Sequence, residues 1–84
     1  MNPIKLKILV HNEETVTKEE LDLDIDPTDF STKDVMFYNI DNIQPEIVKG
    51  VELTIISSGG EDFSCVTPFD KLIARIAKNN EKTI

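Results

Sequence analysis

The first third of the chain contains two stretches in which apolar and polar residues alternate. Residues 4–10 place Ile, Leu or Val at every second position, with Lys5 and Lys7 between them, and residues 21–26 alternate Leu or Ile with Asp. A period of two gives one buried and one wetter face, which is typical of a strand. Pro27 cannot donate to a strand ladder and ends the second stretch. The pattern predicts an antiparallel hairpin over residues 4–26 with a long polar connection.

Three further strands are expected in the middle of the chain. Residues 35–40 are rich in β-branched and aromatic side chains, and residues 51–56 and 62–66 flank the sequence Ser-Ser-Gly-Gly at 57–60. Glycine adopts positive φ at no steric cost, so this sequence predicts a tight hairpin turn. The segments 27–34 and 45–50 are rich in turn-forming residues and are predicted as loops.

A helix is predicted over residues 68–79. Thr67 is a suitable N-cap, Pro68 suits the first helical position, and Asp70 supplies an acid in the first turn. Apolar residues then recur at spacings of three, four and seven, which defines one helical face. We expect these residues to be buried against the sheet: Phe69, Leu72, Ile73 and Ile76.

Together these elements predict a single α+β domain over residues 1–84, with an antiparallel sheet of about five strands and one C-terminal helix. Its parts would be an acidic N-terminal hairpin (4–26), a three-stranded portion (35–66) and the helix (68–79). An open sheet covered by the helix on one face is favoured, and a curled, barrel-like sheet is the alternative. No apolar run approaches the roughly 20 residues that a membrane span needs.

The charge of the protein is concentrated in one segment. The net charge is −7, and residues 13–34 hold nine acids and two bases while the rest of the chain holds seven of each. An acidic balance argues against direct nucleic-acid binding. The segment either keeps the chain soluble and guards an edge strand, or docks a protein partner with a basic surface, including a DNA-binding protein captured by phosphate mimicry. The candidate binding residues are Asp22, Asp24 and Asp26 on the predicted strand, with Glu13, Glu14, Glu19 and Glu20 beside them.

Other candidate chemistry is sparse. The aspartates of residues 22–26 resemble the start of a calcium loop, but Pro27 and Lys33 stand where such a loop needs Gly and Glu. One histidine, His11, and one cysteine, Cys65, do not supply the ligands of an ordinary zinc site. We therefore expect no cofactor and no enzymatic activity. The free cysteine and the lack of a targeting signal predict a cytoplasmic protein.

Two adjacent aromatic residues offer a second candidate surface. Phe37 and Tyr38 lie in one predicted strand, so their side chains should point to opposite faces. The ring that faces outward is an interface candidate, because aromatic residues are enriched at binding surfaces. Tyr38 is taken as that residue.

Three stretches between residues 37 and 78 carry a family resemblance: FYNIDNIQPE, VELTIISSGGEDFSCV and TPFDKLIARIAK. With the pair Ile40 and Ile43, the Gly59-Gly60 turn and the Leu-Ile-x-x-Ile helix at 72–76, this part resembles the small FlbD-like flagellar proteins. The resemblance implies a strand, a hairpin and a capped helix, and a homo-oligomeric structural or assembly role. The same part also resembles hairpin–helix modules of small phage and mobile-element proteins. Our first hypothesis is a non-enzymatic phage-type accessory or inhibitor protein that docks a basic partner, and assembly is the alternative.

Overall fold

Within residues 2–81, which the computed structural model describes, five strands and two α-helices follow one another. They are β1 (Ile4–Val10), α1 (Glu13–Glu20), a 3₁₀ turn (Pro27–Asp29), β2 (Ser31–Phe37), β3 (Asn42–Val48), β4 (Val51–Ser58), β5 (Glu61–Cys65) and α2 (Phe69–Glu81). The strands form one antiparallel sheet in the order β2-β1-β5-β4-β3. The predicted α+β class is confirmed, and the sheet is open rather than closed into a barrel. The predicted single domain also includes residues 1 and 82–84, which lie outside the described residues.

The sheet consists of two parts, a pair of strands and a three-stranded meander, that meet at one point. β1 pairs with β2 over seven residues, and β3, β4 and β5 form a meander. Between β1 and β5 the register contains one residue pair, Ile8 with Cys65, and the Val66 N–H donates to the Lys7 carbonyl at 3.1 Å. Beyond that pair the two strands part, which leaves space between the end of β1 and the middle of β5.

One face of the sheet carries the core under α2. Residues paired across antiparallel strands point to the same side, so Ile8, Cys65 and Thr54 share this core face. Leu72 of α2 is fully buried against it. The Thr54 hydroxyl, also fully buried, donates to the Thr67 carbonyl at 2.8 Å and so remains satisfied. The buried core cluster comprises Ile4, Leu6, Ile8, Phe37, Ile56, Cys65 and Leu72.

Helix α2 lies within two residues of its predicted bounds, but one of its four predicted core residues is exposed. Ile73 is 43% exposed, whereas Leu72 is fully buried and Ile76 is half-buried. Ile73 lies about 100° around the helix from Leu72. The opposite flank is held to β1, because Arg75 Nη2 donates to the Lys5 carbonyl at 3.1 Å. This orientation turns Ile73 away from the sheet, so its predicted burial is wrong.

The predicted hairpin over residues 4–26 is absent. Residues 13–20 form α1, residues 21–26 are irregular, and β1 pairs along its length with β2 instead. Leu21 and Leu23, predicted to face a core, are 64% and 55% exposed. The alternation of Leu and Asp was therefore not sufficient evidence for a strand.

Two predicted loops contain strand residues. β2 begins at Ser31, inside the predicted loop 27–34, and β3 runs through Pro45, inside the predicted loop 45–50. β3 is an edge strand, where a residue without an N–H is tolerated if its nitrogen faces away from the ladder. The tight turn at 57–60 is confirmed, because Gly59 and Gly60 have φ of 59° and 82° and join β4 to β5.

Candidate functional site: an acidic arm beside an apolar groove

The acidic candidates lie on one connected segment, residues 13–26, which we call the acidic arm. Its helix α1 begins with reciprocal capping: the Thr15 N–H donates to Asn12 Oδ1 at 2.9 Å, and the Asn12 N–H donates to Thr15 Oγ1 at 2.8 Å. Thr15 is the buried residue of this helix, and Val16 is 43% exposed. α1 is therefore held by polar contacts and its cap, and it lacks the apolar stripe by which a helix usually packs on a core.

The arm turns sharply at Asp22. The Leu23 N–H donates to the Lys18 carbonyl at 2.8 Å, and the Asp22 N–H donates to the Glu19 carbonyl at 3.2 Å. This pair of bonds is the Schellman motif, which places the residue after the C-cap in the left-handed region. Asp22 has φ of 57°, so it ends a helix and does not belong to a strand.

A single lysine from the β3–β4 turn reaches the end of the arm. Lys49 Nζ lies 3.2 Å from Asp26 Oδ1 and 3.8 Å from Asp24 Oδ2. Lys49 has φ of 50° and Gly50 has φ of 80°, as a tight two-residue hairpin turn requires. Lysine is uncommon at positive φ, so the turn carries a cation at a position where Asn or Gly would cause less backbone strain.

Asp29 connects the segment that follows the arm to helix α1 and to its N-cap by hydrogen bonds. Its Oδ2 accepts from Lys18 Nζ and from the Asp26 N–H, both at 2.9 Å, and its carbonyl accepts from Asn12 Nδ2 at 2.8 Å. The hydrogen bond from the Asp26 N–H and then that from Lys18 hold the pKa of Asp29 below its usual value. The hydrogen bond to Asp29 in turn raises the pKa of Lys18. Lys18 also lies 3.5 Å from Glu14.

Seven of the eight candidate residues lie on the acidic arm, although not as the predicted row. Asp22, Asp24 and Asp26 follow an irregular path and do not share the face of a strand. Three arm acids have cation partners: Glu14, Asp24 and Asp26. The other four form no ion pair with any residue in 2–81: Glu13, Glu19, Glu20 and Asp22.

Tyr38 is separate from the arm. Phe37, just before it, pairs with Ile4 at the start of β1, while the arm follows the end of β1 at Val10. Six residue steps of strand place the two ends about 20 Å apart. Tyr38 is 71% exposed and Phe37 is 3% exposed, so the prediction that one of these rings faces outward is confirmed.

Sequence reasoning missed a groove that lies against the arm. It has a volume of about 420 Å³ and lies on the sheet face opposite α2, where β1 and β5 part. The end of the arm and the loop after it form one wall, with Ile25, Pro27 and Phe30. Leu9, Val48 and Leu53 contribute apolar side chains from the sheet. No local pattern marks such a groove, because it depends on the separation of two strands that are distant in sequence.

Four polar side chains also line this groove: His11, Glu46, Asp62 and Ser64. His11 is exposed; its Nδ1 lies 3.3 Å from Thr15 Oγ1 and its ring centroid lies 5.2 Å from that of Phe30. Within residues 2–81 no three potential metal ligands are grouped closely enough to hold an ion. Cys65, the lone thiol, is fully buried in the core.

Comparisons with protein-family models, with curated proteins and with solved structures found no match for this chain. The resemblance of residues 37–78 to the FlbD-like family therefore stays a prediction. Neither helix of the described part of the chain has the length and apolarity needed to cross a membrane.

Proposed function

We propose that this protein is a non-enzymatic interaction protein whose acidic arm docks a protein partner with a basic surface. The observation that carries the proposal is the set of four arm carboxylates, Glu13, Glu19, Glu20 and Asp22, that have no ion pair within residues 2–81. All four side chains belong to exposed residues, so a partner can reach them without unfolding the chain. A phage-type accessory or inhibitor role is one form that this function could take.

The arm carries these charges at a cost in stability. Glu19 and Glu20 lie in the last turn of α1 and Asp22 follows it, where the helix dipole disfavours negative charge. α1 has eight residues, well below the roughly 12–15 that make an isolated helix even marginally stable. Like charges on so short a helix oppose its folding. A basic partner would relieve this repulsion, and it would be attracted over a distance set by the salt concentration.

The two free edges of the sheet favour a different protein as partner over assembly of identical copies. Pro45 lies in the middle of the edge strand β3 and removes one backbone donor there. The other edge, β2, carries Lys33 and Asp34 at its centre. A symmetric antiparallel pairing centred on Lys33 or on Asp34 would bring two identical charges face to face, which is destabilising.

The proposal is tested with a short synthetic peptide in which Arg alternates with Ser, titrated at low and at physiological salt. The arm variant is Glu13→Gln/Glu19→Gln/Glu20→Gln. The control variant, Glu52→Gln/Glu61→Gln/Asp70→Asn, removes the same number of charges from exposed residues elsewhere. We expect the arm variant to bind at least about fivefold more weakly at low salt, with a flatter salt dependence, and the control to lose less than about twofold. Equal losses in the two variants would show that only net charge matters and would refute the arm as the docking surface.

A further inference from the structure

The groove beside the arm has an apolar interior that no residue of the described chain fills. Leu53 is 4% exposed on the groove face, although its neighbours Leu9, Ile25 and Phe30 remain only half-buried. A volume of about 420 Å³ lies within the range that binds compact apolar groups. The space is large enough to bury a Leu-sized side chain.

Every formally charged side chain that lines the groove is acidic. Glu46 and Asp62 point to the same sheet face as the groove, because Glu46 pairs with Leu53 and Asp62 is two residues from Ser64. Glu46 is half-buried and has no ion pair within residues 2–81. Asp62 accepts one hydrogen bond, from Ser57 Oγ at 2.6 Å. An occupant that places a cation beside its apolar group would therefore complement this lining.

The groove and the acidic arm form one continuous surface. Ile25 belongs to the arm and also lines the groove, and Asp24 and Asp26 flank it in sequence. A partner segment seated in the groove would thus have Asp24 and Asp26, which Lys49 partly neutralises, at one side and Glu46 at another.

We infer that the groove receives an apolar side chain of the same basic partner, at a position where that side chain is flanked by Lys or Arg. This inference rests on the proposed function and names the chemistry of the partner segment. The arm and the groove would affect different rate constants. The exposed charges of the arm would mainly set the association rate, whereas an apolar side chain buried in the groove would slow dissociation.

Two synthetic peptides of equal length and charge test the inference. In one, Arg alternates with Ser; in the other, the two central Ser residues are replaced by Leu. Burial of a Leu side chain leads us to expect that the Leu peptide binds about tenfold or more tightly than the Ser peptide. The difference should appear in the dissociation rate and persist at physiological salt. Amide shifts in the unaltered protein should be largest at Ile25, Phe30 and Ser64 when the Leu peptide binds.

A groove-filling variant shows where the preference arises. Ser64 points into the groove, and its hydroxyl makes no hydrogen bond within the described residues. Ser64→Leu should therefore reduce the preference for the Leu peptide to about twofold or less while leaving the Ser peptide unaffected. Gln44→Leu is the control, because Gln44, Ile55 and Ser64 lie in one row across the sheet but Gln44 is outside the lining. If the variant does not fold, the amide shifts of the unaltered protein decide the question.

The outcomes separate this inference from the proposed function. Equal binding of the two peptides, or a Leu preference that survives in Ser64→Leu, would overturn the groove as the anchor site. If both peptides nevertheless weaken in the arm variant, the proposed function stands without the anchor. If the arm variant binds both peptides as tightly as the parent, the proposed function fails. If Ser64→Leu then still abolishes the preference for the Leu peptide, the groove is an apolar binding site that acts without the charged arm.

Discussion

The ammonium group of Lys49 lies 3.2 Å from the carboxylate of Asp26, and it reaches that position from a backbone conformation that lysine rarely adopts. Asp26 ends the acidic arm, and Lys49 lies in the tight turn between β3 and β4. The pair therefore fastens the end of the arm to a part of the chain more than twenty residues away. It also neutralises part of the charge that a basic partner would otherwise meet.

Changing Lys49 to Asn should affect stability and peptide binding differently, because it improves the turn sequence but removes the cation that neutralises the end of the arm. Asn-Gly is a preferred pair for a two-residue hairpin turn, whereas exposed ion pairs contribute only about 0–1 kcal/mol. We expect the free energy of unfolding to stay within about 1 kcal/mol of the parent or to rise. Binding of the Arg-Ser peptide at low salt should become stronger. Urea unfolding and titration measure the two effects, and weaker binding would show that Lys49 positions the arm rather than masking it.

Asp22 provides a second test, because its place after α1 is one that glycine normally fills. Asp22→Gly should stabilise the protein by about 0.5–1 kcal/mol, since it removes both the cost of left-handed φ and a negative charge at a helix C-terminus. Asp24→Gly removes the same charge from a residue without positive φ, and it should not stabilise. Thermal unfolding of the two variants compares them. An equal gain in both would mean that charge alone is responsible.

The elements that the sequence predicted well are those with a strong local pattern. β1, β4 and β5 show alternation, and the helix signals at residues 67–70 agree with the apolar spacing that follows, so propensity, pattern and turn chemistry all favour one structure. The same reasoning failed where the local pattern was weak, or where it is typical of more than one kind of structure. α1 has a capping pair, Asn12 and Thr15, but no apolar periodicity to accompany it. β3 was missed because Pro45 is common in turns, yet it is tolerated at a sheet edge.

The sequence predicted which residues make up the acidic surface, but not how they are arranged in space. The acidic residues are exposed and contiguous, as their sequence clustering indicated, because charge is a local property of the chain. Their arrangement depends on which strand pairs with β1, and β1 pairs with β2 beyond the arm rather than with residues 21–26. The groove depends further on the parting of β1 from β5, which are more than fifty residues apart. Such relations follow from packing and have no signature in a single segment.

Neighbouring residues of α2 should differ sharply in their contribution to stability. Leu72 is fully buried, so Leu72→Ala should lower the free energy of unfolding by about 2–5 kcal/mol. Ile73 is 43% exposed, so Ile73→Ala should cost less than about 1 kcal/mol, because a large part of its surface already meets water and Ala favours the helix. Chemical denaturation of both variants measures the contrast. A larger loss at Ile73 than at Leu72 would show that the helix is rotated from the orientation described above.

The attachment of the arm should weaken in acid because it depends on the ionised form of Asp29. The pKa of this carboxyl is lowered from its ordinary value of 3.8, first by the hydrogen bond from the Asp26 N–H and then by that from Lys18. A lowered folded-state pKa means that the stabilisation is fully present above the ordinary value and is lost as the pH falls through the lower, folded-state value. Amide exchange in residues 21–30 should therefore remain slow at neutral pH and accelerate at acidic pH, once the dependence of the intrinsic exchange rate on pH has been removed.

Asp29→Asn should show the faster exchange already at neutral pH, because its amide oxygen cannot form the charged pair with Lys18. Asp34→Asn removes an equal charge from β2 and should leave exchange in this segment unchanged. Exchange in residues 21–30 that is the same in Asp29→Asn and in the parent at neutral pH would show that the hydrogen bonds of Asn12 and the burial of Pro27 hold the segment without the carboxylate.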